Sequence, residues 1–173
     1  MKNESHIISQ SIEVMLQANG WSVATAESCT GGGIAASLTA IPGSSSCVKG
    51  GIVAYTEEVK MRLLGVSPET LQTYGVVSRQ TVEEMARGAM TIFDSDFAVA
   101  TSGVAGPSGG TKETPVGTIW VAIASRSQIE TFCICSYDEG RDKNTQNAVL
   151  VALKMLQKVA ENEENQVKKQ INA

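Results

Sequence analysis

Three stretches of this chain gather reactive side chains among glycines. Thr25-Ala26-Glu27-Ser28-Cys29-Thr30-Gly31-Gly32-Gly33 packs hydroxyls, a thiol, a carboxylate and three glycines into nine residues. Ser102-Gly103-Val104-Ala105-Gly106-Pro107-Ser108-Gly109-Gly110 repeats the mixture of hydroxyls and glycines, and Gly43-Ser44-Ser45-Ser46 is a shorter polar loop. Glycines in such loops let a backbone come close to a ligand and leave N–H groups at a helix start, where developing negative charge is favoured. These stretches read as active-site or ligand-cradling loops.

A hydroxyl nucleophile needs a base. The single histidine, His6, stands near the start of the chain, before the first expected helix, which argues against Ser-His-Asp or Cys-His chemistry. No histidine or cysteine pair has metal-ligand spacing, Asp94 with Asp96 reads as a solvated turn, and no metal or cofactor is expected. The Gly-x-x-x-x-Gly-Lys-Ser/Thr phosphate loop is absent from the chain. A lysine whose pKa is lowered by burial can activate a serine without histidine. Lys60 is the candidate: it follows Tyr55 by five residues across a strand-to-helix junction, so phenol and amine can both turn toward Ser44, Ser45 and Ser46. Plainer readings stand beside these: a solvated lysine, a serine turn, helix caps at Ser28 and Thr30, and a packed thiol at Cys29 with no histidine to ionise it.

The elements that must position these groups follow from periodicity and punctuation. Apolar Ile8, Ile12, Met15 and Leu16 keep helical spacing up to the stop at Asn19-Gly20. Residues 21–24 read as a short strand, followed by a glycine loop and a small-residue helix ending before Ile41. Residues 48–55 read as a strand in which Gly50 and Gly51 admit a second backbone. Thr56 caps a helix carrying Lys60 to Gly65, Ser67-Pro68 opens a brief helix ended by Gly75, and Ser78 caps a helix with apolar positions from Val82 to Phe93. Residues 97–101 form a strand, 116–125 and 128–136 an antiparallel pair, and 148–159 a long helix before a charged tail. Alternating strands and helices followed by a hairpin predict an α/β fold: one domain, a mixed β-sheet with helices packed on both faces. Ligands of such sheets bind beyond strand C-terminal ends, where the Ser28 and Ser102 loops must lie.

At 173 residues the chain fits one domain, with residues 1–6 and 161–173 as mobile ends. A hydrophobic share of 42% with 18% charged residues describes a soluble globular protein. The net charge of -4, without any stripe of Lys and Arg, argues against nucleic acid as a partner. No apolar run approaches the roughly 18 to 20 residues of a membrane span. The polar start and four cysteines without a C-x-x-C pair suggest a reduced, cytoplasmic protein. Cys133 and Cys135 share one strand face, where packing is the expected role. Weakly charged apolar strands late in the chain favour a homo-oligomer.

Thr25-Ala26-Glu27-Ser28-Cys29-Thr30-Gly31-Gly32, Gly43-Ser44-Ser45, Tyr55 with Lys60, Gly75-Val76-Val77-Ser78, Ser102-Gly103-Val104-Ala105-Gly106-Pro107 and Pro115-Val116-Gly117-Thr118 occur in order. Together they resemble the CinA C-terminal domain family, over about residues 8–160 and in its stand-alone, nicotinamide-nucleotide amidase form. The resemblance implies metal-free, cofactor-free hydrolysis of the carboxamide of a pyridine nucleotide, nicotinamide mononucleotide, to nicotinate mononucleotide and ammonia. It implies Ser45 as nucleophile, Lys60 as base and Tyr55 as aid to proton transfer. Ser28, Thr30, Ser102 and Gly103 would orient the amide and its oxyanion, and Arg141 would hold the phosphate. Lys49-Gly50-Gly51 and Glu57 depart from the family pattern, as do Thr145 and Gln146 where an arginine is usual. A phosphate facing Glu57 binds less well. The alternative that these departures imply is a catalytically inactive paralogue that binds a nucleotide or a protein.

Overall fold

The computed structural model describes residues 3–135 and 138–171. Helix α1 spans Glu4–Asn19; Asn3 caps its start by accepting from the His6 N–H, and Gly20 ends it in the left-handed conformation. It starts a turn earlier than the apolar spacing suggests, so His6 lies inside it. Strand β1 (Val23–Glu27) sits two to three residues later than expected. Trp21 instead packs edge-on against Phe97, and Ser22 donates from both N–H and Oγ to Asp96 Oδ2. Arg126 Nε donates to the other oxygen of Asp96, so this aspartate is a structural tie where a solvated turn was expected.

Helix α2 (Gly33–Thr39) and a 3₁₀ turn at Ser44–Ser46 lead into β2 (Val48–Val53). Thr56, Ser67 and Ser78 cap α3 (Glu57–Leu64), α4 (Pro68–Tyr74) and α5 (Arg79–Phe93), each hydroxyl accepting from an N–H of the first turn. Then come β3 (Phe97–Gly103), β4 (Thr118–Ser125), β5 (Ile129–Cys135) and α6 (Arg141–Ile171). Ser136, the expected end of the last strand, lies outside the described residues. So do residues 1–2 and 172–173 at the expected mobile ends. The charged segment from Glu161, expected to fray, continues α6 as helix to Ile171; within it Glu164 accepts from Asn19 and pairs with Lys168 one turn on.

The strands form one sheet in the order β2-β1-β3-β4-β5. β1 runs parallel to both neighbours, and the β3–β4 and β4–β5 pairs are antiparallel, which is the mixed sheet expected. Period-2 alternation gives the sheet two different faces. Val23, Phe97, Val99, Ile119, Val121 and Ile123 point to one side and fill the space under α1, α2 and α6 with bulky branched and aromatic groups. Ala26, Ala98, Ala100, Ala122 and Ala124 point to the other, and these small side chains let α5 lie close. Gly50 and Gly51 in β2 make room for side chains rather than a backbone: an added Cβ would meet the Phe93 ring at 2.7 Å and Thr25 Oγ1 at 2.2 Å.

At Gly88 the backbones of α5 and α3 come close: a Cβ there would collide with the Leu64 carbonyl oxygen. Backbone cannot yield as a side-chain tip can. Gly88→Ala therefore separates α5 from α3 and destabilises the protein by about 1–3 kcal/mol. Urea unfolding monitored by circular dichroism measures the loss.

Candidate active site

The site grows from the way β1 ends. Glu27, its last residue, is fully buried, and its carboxylate oxygens accept from the N–H groups of Gly32, Ile34 and Ala35 at 2.8–3.0 Å. These are the unpaired donors that every helix start exposes, here of α2, and a carboxylate also complements the positive end of the helix. The loop between is thereby folded back over the strand end. Ser28 is fixed at its base by donating its N–H to Thr101 O of β3 at 3.0 Å, and Thr30 Oγ1 shares a 2.7 Å hydrogen bond with Thr101 Oγ1.

Lys60, on α3 just beyond the C-terminal end of β2, reaches into the same place. It is 2% exposed, and its Nζ donates to Ala54 O at 2.7 Å and to Ser28 Oγ at 3.0 Å. Burial lowers its pKa below the ordinary lysine value, against smaller opposing pulls from Cys29 and Glu57. The neighbouring Cys29 thiol moves the other way, pushed up to about 12 by its own burial. A buried amine eased toward its neutral form beside a serine hydroxyl has the geometry in which an amine can take a hydroxyl proton. The thiol beside them is held as a neutral packing group.

Around this pair lies a cleft of about 400 Å³, lined among others by Tyr55, Glu57, Val76, Ser102, Gly103 and Arg141. Ser102 is buried at the end of β3 and donates to Val76 O at 2.7 Å, which ties the Val76-Val77 segment to the cleft. Gly103 is required by packing, since a Cβ there would meet Ile119 of β4 at 2.6 Å. Arg141 opens α6 and bridges the mouth, donating through Nη1 to Gly106 O and through Nη2 to the Tyr55 hydroxyl, both at 2.9 Å. The Tyr55 side of that bridge is 59% exposed, so the phenol stands at the rim. The cleft sits beyond the C-terminal ends of β1, β2 and β3, where chain connections leave β1 and β3 in opposite directions.

Of the residues singled out in the sequence, Ser28, Tyr55, Lys60, Ser102, Gly103 and Arg141 meet at this cleft, and Thr30 is buried beside it. Ser45 does not join them. It is exposed in the 3₁₀ turn that enters β2, whereas Tyr55 and Lys60 follow the strand's other end. Six residues at ~3.3 Å each put these two ends ~20 Å apart. Tyr55 and Lys60 accordingly turn toward the Ser28 loop rather than toward Ser44, Ser45 and Ser46. The 3₁₀ turn is tied elsewhere: Gln17 of α1 donates to Ser46 Oγ and Gly43 O. Sequence reasoning missed Glu27 as the organiser of the loop, although a carboxylate five to eight residues before a helix's first N–H groups is a signal for it. It also missed the Ser28–Lys60 contact, which spans 32 residues.

The fold and cleft define a class: single-sheet α/β proteins that hold a hydrogen-bonded serine–lysine pair where parallel strands end. The sequence pattern of the CinA C-terminal domain matches residues 5–160, and the chain belongs to that family. It is similar to a CinA-like protein of Shewanella amazonensis, 48% identical over 151 residues that cover 87% of this chain and 36% of that protein. The nicotinamide-nucleotide amidohydrolase PncC of Shewanella oneidensis is 47% identical over 151 residues, again 87% of this chain and 36% of that protein. The chain thus spans about a third of the length of these curated relatives. Among solved structures, the competence/damage inducible protein CihA of Agrobacterium tumefaciens superposes with a TM-score of 0.88 at 42% identity, covering 90% of this chain and 95% of that one.

The buried amine has a measurable consequence. The folded pKa of Lys60 lies below its unfolded value, so between the two the unfolded chain binds the extra proton and stability rises with pH. Replacing the amine in Lys60→Met removes this rise. Urea unfolding of both proteins over a series of pH values up to about 10.4, the ordinary lysine pKa, is expected to show the parent gaining stability relative to the variant as pH rises; the buried thiols, whose raised pKa values act in the opposite sense, contribute equally to both.

Proposed function

We propose that the protein is an amidohydrolase that converts nicotinamide mononucleotide to nicotinate mononucleotide and ammonia, with Ser28 as nucleophile and Lys60 as its base. The observation that carries the reading is the 3.0 Å contact between Lys60 Nζ and Ser28 Oγ, buried and shared with the Ala54 carbonyl on the lysine side. In the neutral amine, one N–H keeps its bond to Ala54 O while the lone pair accepts the Ser28 proton. Oγ then attacks the carboxamide carbon. Lys60 returns the proton to the departing nitrogen, with Tyr55 relaying it at the rim, and ammonia leaves a serine ester. Water attacks the ester, Lys60 again taking the proton; the bond to Ser28 Oγ breaks, Lys60 returns the proton to that oxygen, and the carboxylate is released. N–H groups of the turn after Ser28, with that of Gly103, supply donors for the oxyanion; Ser102, through its bond to Val76 O, holds the cleft wall that orients the amide, and Thr30 holds the turn against β3. The relative's name as a nicotinamide-nucleotide amidohydrolase supports the substrate class.

Arg141 keeps donors to spare. Among the described residues two of its five N–H groups are engaged, by Gly106 and Tyr55, which leaves three for a phosphate. Glu57 on the same cleft wall works against that phosphate. One specific observation therefore favours a second reading, in which the cleft binds a nucleotide without turnover: a carboxylate where an anionic group has to pass. The same proposal includes a cytoplasmic homo-oligomer, for which sedimentation velocity is the direct measurement.

Ammonia release from nicotinamide mononucleotide separates the two readings. The amidase reading expects turnover by the parent, a loss of more than about 10³-fold in Ser28→Ala and Lys60→Met, and near-parental activity in Ser45→Ala. Binding without ammonia establishes the silent binder. Log kcat/KM should climb with pH and level off below the ordinary lysine pKa, because the neutral amine is the active form and burial lowers its pKa. Removing the carboxylate in Glu57→Asn is expected to raise kcat/KM for the phosphorylated substrate by about threefold to tenfold, mostly through KM.

A further inference from the structure

A pair of thiols in contact lies outside the cleft. Cys133 and Cys135 stand at i and i+2 on β5, so both thiols leave the same face of the strand, and their Sγ atoms are 3.4 Å apart. β5 is the last strand of the sheet and pairs with β4 alone among the described residues. Its edge position explains why these thiols are not packed as the sequence suggested: Cys133 is half-buried and Cys135 exposed, while Cys29 and Cys47 are buried. Strand residues two apart are separated by ~6.6 Å, at the upper end of the Cα separations of about 4.4–6.8 Å that a disulfide bridges. Closing the bond shortens the strand slightly, and an edge strand with one free side can bend to allow it.

We propose that Cys133 and Cys135 form a reversible dithiol–disulfide site whose co-reactant is a low-molecular-weight disulfide. Cys135 acts first because it is the exposed thiol. It loses its proton to solvent, its sulfur attacks one sulfur of the external disulfide, and that bond breaks with departure of one thiolate. Cys133, which burial and the adjacent Cys135 push up to about 12, is a poor first attacker but is already in place as the resolving group. Its sulfur, on losing its proton, attacks Cys135 Sγ and expels the second thiolate. Two protein thiols are oxidised to one disulfide, and the external disulfide is reduced to two thiols. A ring closed over a single intervening residue is strained, and strained exposed disulfides are readily reduced, so excess thiol reverses the step.

The site has a built-in reporter. Cys133 pairs with Trp120, and Trp120 pairs with Ser102, so one cross-strand row leads from the thiols to the cleft wall. At ~4.8 Å per strand the row is ~10 Å long. Bending β5 at Cys133 shifts the Trp120 indole, whatever reaction the cleft performs.

The folded full chain is incubated with oxidised glutathione, and its intact mass and tryptophan fluorescence are followed. The expected product has lost the mass of two hydrogen atoms and carries no glutathione; the loss maps to the tryptic peptide 127–141, the fluorescence changes, and dithiothreitol restores both. Cys133→Ser should stop with glutathione held on Cys135, and Cys135→Ser should slow thiol loss by about tenfold or more. A parent protein that retains glutathione without closing the ring, or whose Cys133 and Cys135 stay reduced, overturns the proposal. The parent measurement decides alone if either variant fails to fold.

Discussion

A lysine amine with 2% exposure is the constraint from which the rest of this structure is best understood. Ammonium groups are costly to remove from water, and a protein tolerates the cost when the amine has fixed acceptors and its charged form is disfavoured. Here the acceptors are one backbone carbonyl, Ala54 O, and one serine hydroxyl, Ser28 Oγ. The carbonyl belongs to the chain just past β2, the hydroxyl to the loop after β1, and the amine to α3. Holding these three together requires the parallel β1–β2 register, the Thr56 cap that starts α3, and the Glu27 carboxylate that folds the Ser28 loop back. The fold's peripheral features converge on one hydrogen bond.

The electrical character of the cleft follows from the same economy. Burial disfavours charge on Lys60 and on Cys29, so the formal charges at the mouth are those of Arg141 and Glu57. Arg141 is oriented by Gly106 O and Tyr55 before any ligand arrives, which reduces the side-chain entropy lost on binding. Glu57 sits where it opposes an anion and mildly favours the protonated amine. The cleft therefore combines a floor where burial disfavours charge with a rim that carries one side chain of each sign.

Much of this was legible in the sequence because it is local. Helix caps at Thr56, Ser67 and Ser78, the glycine stops at Gly20 and Gly65, and the amphipathic run from Val82 to Phe93 each depend on neighbours within a turn or two. The loops at Ser28 and Ser102 stood out because glycines and hydroxyls cluster there, and both line the cleft. What stayed hidden was the direction of β2. Ser45 and Lys60 are fifteen residues apart, closer in sequence than Ser28 and Lys60, yet a six-residue strand carries them to opposite ends of the sheet. Strand placement was also blurred at β1, where Trp21 and Ser22 look like strand residues but are claimed by Phe97 and Asp96. The charged end of α6 gave no apolar pattern and so looked unstructured, although its Glu164–Lys168 ion pair and its contact with Asn19 are compatible with helix.

The central claim is that Ser28 Oγ forms the bond to substrate carbon. Acid quenching during turnover of nicotinamide mononucleotide, followed by peptide mapping for an acyl ester, addresses it directly. An ester confined to the peptide containing Ser28 is the predicted result. An ester on Ser45 or a thioester on Cys29 would contradict the account, because the side-chain hydroxyl that Lys60 Nζ contacts is that of Ser28.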